Sequence, residues 1–578
     1  MKRIISFLAI AMFLVACKKN GGFLENQDVS SITEQMVFTD SVRSIGFLTR
    51  IYNDIGFSFN KGRWDSHGNL EQATDEAEYR YSGGTQKAVM LYAGTVSPGN
   101  VVDDFWSTPW ANIRRVNLLL QKMPQIPLSQ PRKNLMLAEA RFLRVWYYEY
   151  LLKSFGGIPI IGDVVFGIND IINLKRNTYE ECVNYLVKEL DESAAALPAT
   201  RADEDYGRIT KGACLALKAR ILLYAASPLF NGGAITTNQE LAKIVSYPTA
   251  SVARWETALQ AAEAVINLKD EFGAPKYALY EDNVTAPGYG FYRMFLMRVN
   301  PEYIFARLQG GNRTFEGHYL PSTRGGAFNS HATQNMVDAF PMKNGKPITD
   351  LTSGYSETNP YVGRDPRFAY TIIYNGAPFY LSSSNSKQPM NLYYQRNANG
   401  TLTPQADVTS TTTGYYVRKM LDDNSNSNTE RGWPLIRFAE IILGYAEALN
   451  EVGRTEDALT QIKLIRKRAG IDAGTDGRYG IPAGISQADM QSLIRNERRI
   501  ELAYEDHRFF DVRRWKIAEQ TDNGFNRGIQ VIKELNNTFT YTPTVSIRKH
   551  NFRPEMYLLP IPQGEISKMP AMVQNPGW

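Results

Sequence analysis

Three glutamates near the C-terminal end of the chain have a spacing that could allow acid–base catalysis. Glu497, Glu501 and Glu505 are four residues apart, which places all three on one face of a helix. Retaining glycoside hydrolysis uses two carboxyl groups about 5 to 5.5 Å apart, one of which must be protonated. Positive neighbours instead hold carboxylates ionised, so a structural ion-pair network is predicted. The arginines that interleave with the acids are Arg495, Arg498, Arg499 and Arg508.

Two loops combine aromatic rings with arginines, as a sugar-binding site without catalysis requires. A ring covers the apolar C–H face of a sugar, and a guanidinium donates hydrogen bonds to hydroxyl groups. A place in the hydrophobic core is the alternative for each ring, although loops are where binding residues gather. The candidates are Arg63, Trp64, Tyr79, Arg80 and Tyr81 in the first loop, and Tyr319, Arg324 and Phe328 in the second.

Metal and cofactor chemistry is not indicated. The five histidines lie far apart, and no cysteine motif has the spacing of zinc ligands. Residues 422–428 alternate oxygen-bearing side chains like a calcium loop, but Ser427 replaces the turn glycine and Trp433 the terminal glutamate. We expect no cofactor and no transition metal, and a solvated Asn/Ser loop rather than a calcium site.

The first 16 residues have the pattern of a signal peptide. Lys2 and Arg3 precede an apolar run from Ile4 to Phe13, about half of the roughly 20 residues that a spanning helix needs. Ala16-Cys17 resembles the processing site of bacterial lipoproteins, where the cysteine is acylated and becomes the first residue. We therefore predict a signal peptide at 1–16, lipidation at Cys17 and a linker at 17–30, with membrane attachment through the lipid alone.

The charge pattern excludes nucleic acid as a partner. The formal net charge of +5 falls to +3 without Lys2 and Arg3, and basic residues stand singly among acidic ones. Nucleic-acid-binding proteins instead concentrate Lys and Arg on one surface. The two remaining cysteines, Cys182 and Cys214, lie in apolar helical patterns and are expected to be buried free thiols, with a disulfide as the alternative.

Helical periodicity dominates the chain on both sides of an irregular stretch. Leu135, Ala138 and Phe142 follow helical spacing, and Gly156-Gly157 ends that helix. The irregular stretch, 271–431, is rich in Gly, Asn, Ser, Thr and Tyr, and its aromatic content argues for a packed subdomain. Further helices are predicted at residues Tyr179 to Leu197, Gly212 to Ala226, Trp255 to Leu268 and Arg437 to Glu451.

One helix pair has the spacing of a repeat. Small residues at Ala446 and Ala458 flank a turn at Gly453, which lets two helices cross closely and resembles a degenerate tetratricopeptide unit. Trp255 and Ala258 on an earlier helix fit a second such unit. The fold class is therefore predicted to be mainly α, with helix pairs that support the loop-rich subdomain.

Several motifs in order resemble the SusD/RagB family. They comprise IRFAEIILGYAEALNE at 436–451, IRKRAG at 465–470, IRNERRIEL at 494–502, RFFD at 508–511 and the terminal QNPGW. Earlier segments fit too, including EARFLR at 139–144 and RDPRF at 364–368. The resemblance therefore extends over nearly the whole chain after the leader.

The resemblance implies about four tetratricopeptide-like helix pairs in a single unit at 31–578. We divide this unit into a helical scaffold at 31–270 and 432–520, a loop-rich subdomain at 271–431 and a C-terminal segment at 521–578. It also implies an outer-membrane lipoprotein that faces the cell exterior and caps a SusC-like TonB-dependent transporter. In SusD-like relatives, the loop after a segment like Asp75-Glu76-Ala77 helps to build the ligand face.

The expected function is non-catalytic binding of a nutrient oligosaccharide and its delivery to the transporter. A peptide ligand, as in RagB-like members, is the nearest alternative. A surface glycoside hydrolase and a pure assembly scaffold are the rivals from other classes. Neither the glycan nor its linkage follows from the sequence, because irregular loops would select them.

The replacement Cys17→Ala is expected to release the protein from the outer membrane. Each buried CH₂ of an acyl chain contributes about 0.8 kcal/mol to membrane binding, and no other segment of the sequence is expected to insert. Fractionation of cells that express the variant and the wild type measures this. Full retention of the variant in the membrane fraction would contradict the assignment of the leader.

Overall fold

The computed structural model describes residues 32–102 and 104–578. The predicted signal peptide, the linker and Cys17 lie outside the described residues. Within the described part of the chain, we find no helix that combines the length and apolar character needed to cross a membrane.

The chain is mainly helical, as predicted. The α-helices are α1 (Glu34–Phe38), α2 (Ser41–Asn53), α3 (Lys87–Ala93), α4 (Asp104–Lys122), α5 (Gln130–Phe155), α6 (Tyr179–Ala196), α7 (Lys211–Ala226), α8 (Gln239–Val245), α9 (Ala253–Ile266), α10 (Tyr289–Arg293), α11 (Thr314–Tyr319), α12 (Gln334–Ala339), α13 (Pro366–Thr371), α14 (Phe438–Glu451), α15 (Thr455–Arg468), α16 (Gln487–Glu501), α17 (Arg508–Arg514), α18 (Ala518–Thr521) and α19 (Gln563–Lys568).

Short strands fill the region between α9 and α14, and a long hairpin follows α18. The strands are β1 (Ala77–Tyr79), β2 (Tyr303–Leu308), β3 (Ser330–Ala332), β4 (Ile372–Ile373), β5 (Pro378–Leu381), β6 (Ser386–Pro389), β7 (Tyr394–Arg396), β8 (Leu402–Pro404), β9 (Tyr416–Val417), β10 (Gly432–Arg437), β11 (Gly524–Lys533) and β12 (Phe539–His550). The largest sheet has the order β12-β11-β7-β8. The β11–β12 hairpin was not among the elements expected from the sequence.

The long helix α5 ends where the sequence predicts. Pro131 stands in its first turn, where a missing N–H costs nothing, and Gly156 follows its last residue with a φ of 78°. A Cβ on Gly157 would lie 2.2 Å from the Asn177 carbonyl oxygen, so only glycine fits there. The chain can therefore turn sharply and pack α6 against α5.

Helices α14 and α15 form the predicted pair. Gly453 joins them with a φ of 82°, and Ala446 and Ala458 are fully buried between helices. The helices α4 and α5, α6 and α7, and α7 and α9 also pack against each other. This arrangement is consistent with tetratricopeptide-like pairs, and the assignment to that repeat class stays a prediction.

The two thiols are buried and free. Cys182 lies on α6 and Cys214 on α7. Burial raises the pKa of the Cys182 thiol to about 12, which keeps it protonated at neutral pH.

A buried ion-pair network joins the helical scaffold to the irregular region. Glu501, the last residue of α16, accepts hydrogen bonds from Arg437 of β10 at 2.7 Å and from Arg367 of α13 at 2.9 Å, and it also pairs with Arg468 of α15. Glu505 binds Arg437 at 2.7 Å. The network thus connects elements that lie far apart in the sequence.

The partners of these glutamates differ from those expected. Arg498 binds Asp511 at 2.7 Å, and both Arg499 and Arg508 bind Asp75. The prediction that arginines interleaved on the same stretch neutralise the glutamates is wrong. Arginines from other elements, namely Arg367, Arg437 and Arg468, approach Glu501 instead, because those of the same stretch are bound by Asp511 and Asp75.

Glu501→Gln is expected to lower the free energy of unfolding by about 3 kcal/mol or more, because it leaves three buried arginines short of one negative charge. Chemical denaturation measures the loss. The control is Glu456→Gln, whose side chain is 65% exposed and pairs with Arg478 at 3.3 Å. A change below about 1 kcal/mol is expected there. Equal effects of the two substitutions would contradict a special role of the buried network.

Candidate functional site

Strands β1 and β3 bring the two predicted binding loops together. The strands pair antiparallel, with Ala77 opposite Ala332 and Tyr79 opposite Ser330. The pairing continues beyond β1, since the Arg80 N–H donates to the Asn329 carbonyl at 3.3 Å. The loop after Tyr79 and the loop before Ser330 therefore leave this small sheet side by side.

At the junction of these loops, an arginine lies between two aromatic rings. The Arg80 guanidinium carbon is 4.5 Å from the centroid of the Tyr81 ring and 5.2 Å from that of the Phe328 ring. The same guanidinium donates to the Ala327 carbonyl at 3.0 Å and to the Tyr81 hydroxyl. Both rings are half-buried, so each keeps part of its surface in solvent. We call Arg80, Tyr81 and Phe328 the aromatic platform.

The platform is held rigidly by the backbone around Phe328. Its φ is 44°, in the left-handed region that bulky residues rarely adopt. The Phe328 N–H donates to the Leu320 carbonyl at 3.0 Å, and the Ala327 N–H donates to the Gly317 carbonyl at 2.8 Å. Such strain costs of order 1–3 kcal/mol and clusters at ligand clamps and active sites.

Arg63 and Trp64 do not take part in this platform. Trp64 is only 6% exposed, and its indole N–H donates to Asp104 at 3.2 Å. The Arg63 guanidinium binds the same carboxylate at 2.5 Å and lies 4.5 Å from the Phe105 ring centroid. The prediction that these two residues present a ligand-binding surface is wrong, because both anchor their loop to the start of α4.

Tyr79, Tyr319 and Arg324 are also part of the core. Tyr79 is fully buried and donates to the Ser66 carbonyl at 2.8 Å, while Tyr319 is 1% exposed and donates to Glu71 at 2.8 Å. Arg324 donates to the carbonyls of Phe379 and Pro389, at 2.9 and 3.0 Å, and so holds the β5–β6 hairpin. The prediction that these three residues contact a ligand is therefore also wrong. Tyr79 supports the platform indirectly, since its ring lies edge-on to Tyr81 at 5.2 Å.

A polar core lies directly beneath β1. Glu78, on this strand, accepts hydrogen bonds from Asn526 at 2.8 Å and pairs with Arg548 at 2.9 Å and His550 at 3.0 Å. These three partners come from the β11–β12 hairpin. The hairpin therefore fixes the strand that leads into the aromatic platform.

Two adjacent carboxyl groups before β1 have opposite ionisation behaviour. Burial opposes ionisation of Asp75, but the guanidinium groups of Arg499 and Arg508 outweigh it and lower its pKa to about 2. Glu76 is equally buried, and burial raises its pKa to about 8 despite a smaller opposing effect of Arg508. At neutral pH, Asp75 is thus ionised and Glu76 protonated.

No glutamate of α16 or of the turn after it is held in the protonated form that the acid of a glycoside hydrolase needs. Burial opposes ionisation of Glu501, yet Arg468, Arg437 and Arg367 lower its pKa. The pKa values of Glu497 and Glu505 are lowered for the same reason. None of the three is more than 4% exposed, so a substrate has no access to them. This geometry is that of a structural network.

In the loop that resembles a calcium site, Asp422 binds donors of the loop itself. The Asp422 carboxylate accepts hydrogen bonds from the Asn424 N–H at 2.9 Å and from the Ser425 hydroxyl at 3.2 Å. Among residues 32–102 and 104–578, no cluster of three or more His, Cys, Asp or Glu side chains has a metal-binding arrangement.

Two family models match this chain. One, described as SusD family, matches residues 301–578, and a second, described as starch-binding associating with outer membrane, matches residues 25–223. The chain belongs to the SusD family. The resemblance found in the motifs is thereby confirmed.

Relatives of SusD type match the chain from end to end. SusD-like protein P2 of Formosa agariphila is 22% identical over 593 residues and 99% of each chain. A SusD-like protein of Bacteroides fragilis is 24% identical, with a TM-score of 0.73 over 94% of this chain and 99% of the other. A laminarin-binding SusD-like protein is 19% identical, with a TM-score of 0.62 over 93% and 100%. These structures show that the protein has the SusD fold.

The sequence indicated Arg80, Tyr81 and Phe328 as candidates but not that the arginine lies between the two rings. Arg80 stands next to Tyr81 in the sequence, and adjacent residues on a strand point to opposite faces, so no local pattern indicated that they stack. The strand ends at Tyr79, and the turn that follows brings both side chains together. Nothing in the sequence linked Arg548 or His550 to β1.

Glu76→Gln and Asp75→Asn are expected to affect stability with opposite signs in this SusD-family protein. The pKa of Glu76 rises on folding from 4.5 to about 8, so its stabilising effect is present below pH 4.5 and is lost as pH rises to about 8. Glu76→Gln should therefore be more stable than wild type at about pH 9, and its gain over wild type should be smaller at about pH 5.

The lowered pKa of Asp75 gives stability that is present above pH 3.8 and lost as pH falls toward 2. Asp75→Asn should accordingly be destabilised by a similar amount at both pH values. Urea denaturation of wild type and both variants provides the comparison. A Glu76→Gln variant whose difference from wild type is independent of pH would refute the assignment.

Proposed function

We propose that this protein binds oligosaccharide at the cell surface and delivers it to a SusC-like TonB-dependent transporter, without catalysis. The observation that carries the proposal is the aromatic platform, in which Arg80 stacks between the half-exposed rings of Tyr81 and Phe328. Flat rings and a guanidinium match the alternating apolar and hydroxyl surfaces of a sugar.

The platform is suited to recognition because its parts are held in place before a ligand arrives. The Arg80 guanidinium has no ion-pair partner among the described residues, so it can donate to ligand hydroxyls without first leaving a carboxylate. Residues 82–85, which follow Tyr81, are exposed and include Gly83 and Gly84. Ordering such a site beforehand reduces the entropy lost on binding.

Non-catalytic binding is supported by the state of the acids. The glutamates that could have formed a hydrolytic pair are buried and held ionised by arginines, whereas a glycosidase needs one carboxylic acid. Two structural relatives carry the names SusD-like carbohydrate-binding protein and laminarin-binding SusD-like protein. We extend carbohydrate binding from them to this chain as part of the proposal.

Delivery to a transporter and lipid anchoring complete the proposed function. A polymer fragment held at the platform cannot cross the outer membrane without a channel, and acylation at Cys17 would hold the protein beside one. Co-purification of a barrel partner from detergent-solubilised outer membranes tests this part. Failure to recover any TonB-dependent transporter would remove the delivery step and leave glycan binding to be judged separately.

Tyr81→Ala is expected to weaken glycan binding about tenfold while the fold stays intact. Covering roughly 60 Å² of ring with a sugar face contributes about 1.5 kcal/mol at 25 cal/mol per Å². Affinity is measured by calorimetry against a panel of soluble polysaccharides that includes laminarin and starch. Phe272→Ala, which removes an 88% exposed ring from the loop after α9, is the control and should bind like wild type.

Trp64→Ala should give the reverse result and change stability rather than binding. Its melting temperature should be clearly below that of wild type, because removing the buried indole leaves a cavity in the core. Wild-type affinity in the Tyr81→Ala variant would place glycan binding elsewhere on the protein. Binding of peptides but of no polysaccharide by the wild type would favour the RagB-like alternative. Cleavage products in the incubated samples would favour a hydrolase.

A further inference from the structure

A second pair of partly exposed aromatic rings lies at the outer end of the β11–β12 hairpin. Phe539 and Tyr541 are two residues apart on β12, so both side chains stand on the same face of the strand. Their ring centroids are 6.4 Å apart, with 37° between the ring planes. Phe539 is 36% exposed, and Tyr541 is half-buried. We call Phe539 and Tyr541 the hairpin ring pair.

The hairpin ring pair is separate from the aromatic platform. The hairpin meets the segment that leads to the platform at its opposite end, where Arg548 donates to the Tyr79 carbonyl at 2.7 Å. An extended strand rises about 3.3 Å per residue, which places Tyr541 roughly 20 Å from Arg548. A substitution in the hairpin ring pair therefore leaves the contacts of the platform in place.

Two further rings fix the hairpin ring pair in position. Tyr393 lies edge-on to Phe539, with centroids 5.4 Å apart and 77° between the planes. Tyr361 lies edge-on to Tyr541 at the same distance and at 88°. Tyr361 also packs against Tyr374 at 4.5 Å, so this side of the pair is connected to the core. Edge-to-face contacts of this kind define the ring planes before any ligand arrives.

The strand that carries these rings lies at the edge of its sheet. The order β12-β11-β7-β8 makes β12 the outermost strand, so alternate N–H and C=O groups point away from the sheet. Such an edge can pair with a strand of another protein chain. Pro543 stands within β12, and a proline in an edge strand directs its missing N–H outward. The outer row of donors is therefore interrupted, which disfavours an added strand.

Polar groups beside the rings suit the hydroxyl groups of a sugar. Lys533 is directly opposite Phe539 across the hairpin, and its ammonium group lies 5.9 Å from the Tyr393 ring centroid. The neighbouring acid, Glu534, instead pairs with Arg396 and accepts a hydrogen bond from Thr540 at 3.1 Å. An ammonium group has three N–H donors. The exposed Thr542 follows Tyr541 and adds a hydroxyl group.

We propose that the hairpin ring pair is a second glycan-contact site, on which a neutral polysaccharide lies along the outer edge of β12. The sugar faces stack on Phe539 and Tyr541, and Lys533 donates to hydroxyl groups. The 6.4 Å spacing of the ring centroids is comparable to the length of one sugar unit in an extended chain. This inference rests on the proposed function, because it assigns a further contact to the same class of ligand.

The full-length protein and its ring variants are compared by affinity electrophoresis in gels that contain laminarin, soluble starch, xylan or galactomannan. Phe539→Ala should weaken binding about fivefold if roughly 40 Å² of ring is covered. Phe539→Tyr keeps a flat ring and should bind like wild type, whereas Phe539→Leu keeps only apolar bulk and should bind as weakly as Phe539→Ala. Melting temperatures should be unchanged, since the ring is partly exposed.

Leu535→Ala is the matched control, because it truncates a 62% exposed apolar side chain in the same hairpin and should bind like wild type. Unchanged affinity of Phe539→Ala, or full affinity of Phe539→Leu, would overturn the inference alone. A wild-type protein that binds none of the four polysaccharides would overturn the proposed function together with it. Sedimentation analysis distinguishes a contact between two copies of the chain. A Phe539→Ala variant that changes oligomeric state but not glycan affinity would also refute the site.

Discussion

The charge balance around Glu501 is the constraint on which the rest of the structure depends. One fully buried carboxylate is shared by Arg367, Arg437 and Arg468, which belong to α13, β10 and α15. Taking such charges out of water costs several kcal/mol each, and only a complete set of partners compensates for that cost. The network can therefore form only when the helical scaffold and the irregular region are both in place.

The same helix that carries this carboxylate also helps to position the aromatic platform. Arg499, two residues before Glu501, binds Asp75, and Asp75 stands two residues before β1. Strand β1 leads directly to Arg80 and Tyr81, and its pairing with β3 sets the position of Phe328. A continuous series of contacts thus runs from the ionic core to the aromatic platform, which explains how an irregular surface can be held rigidly.

Local sequence patterns predicted the parts of this structure that depend on neighbouring residues. The end of α5 at Gly156 and the turn of α14–α15 at Gly453 follow from backbone conformations that glycine adopts easily. The partners of Glu501 could not be predicted, since Arg367 lies 134 positions away. Trp64, Tyr79 and Tyr319 were assigned to a surface because an aromatic ring has the same identity in a core and on a platform. Contacts with residues distant in the sequence, such as Asp104 for Trp64 and Glu71 for Tyr319, decide which rings are covered.

The separation of charge from the binding surface argues for a binder whose specificity can change while its fold is kept. Glu497 and Glu501 of α16 and Glu505 after it are used within the core. Arg80 is instead stabilised by two π faces and a carbonyl rather than by a carboxylate. Residues 82–85, which follow Tyr81, are exposed and make no contribution to the ionic core. Under the proposed function, substitutions there can change the surface beside the aromatic platform without disturbing the contacts that hold the protein together.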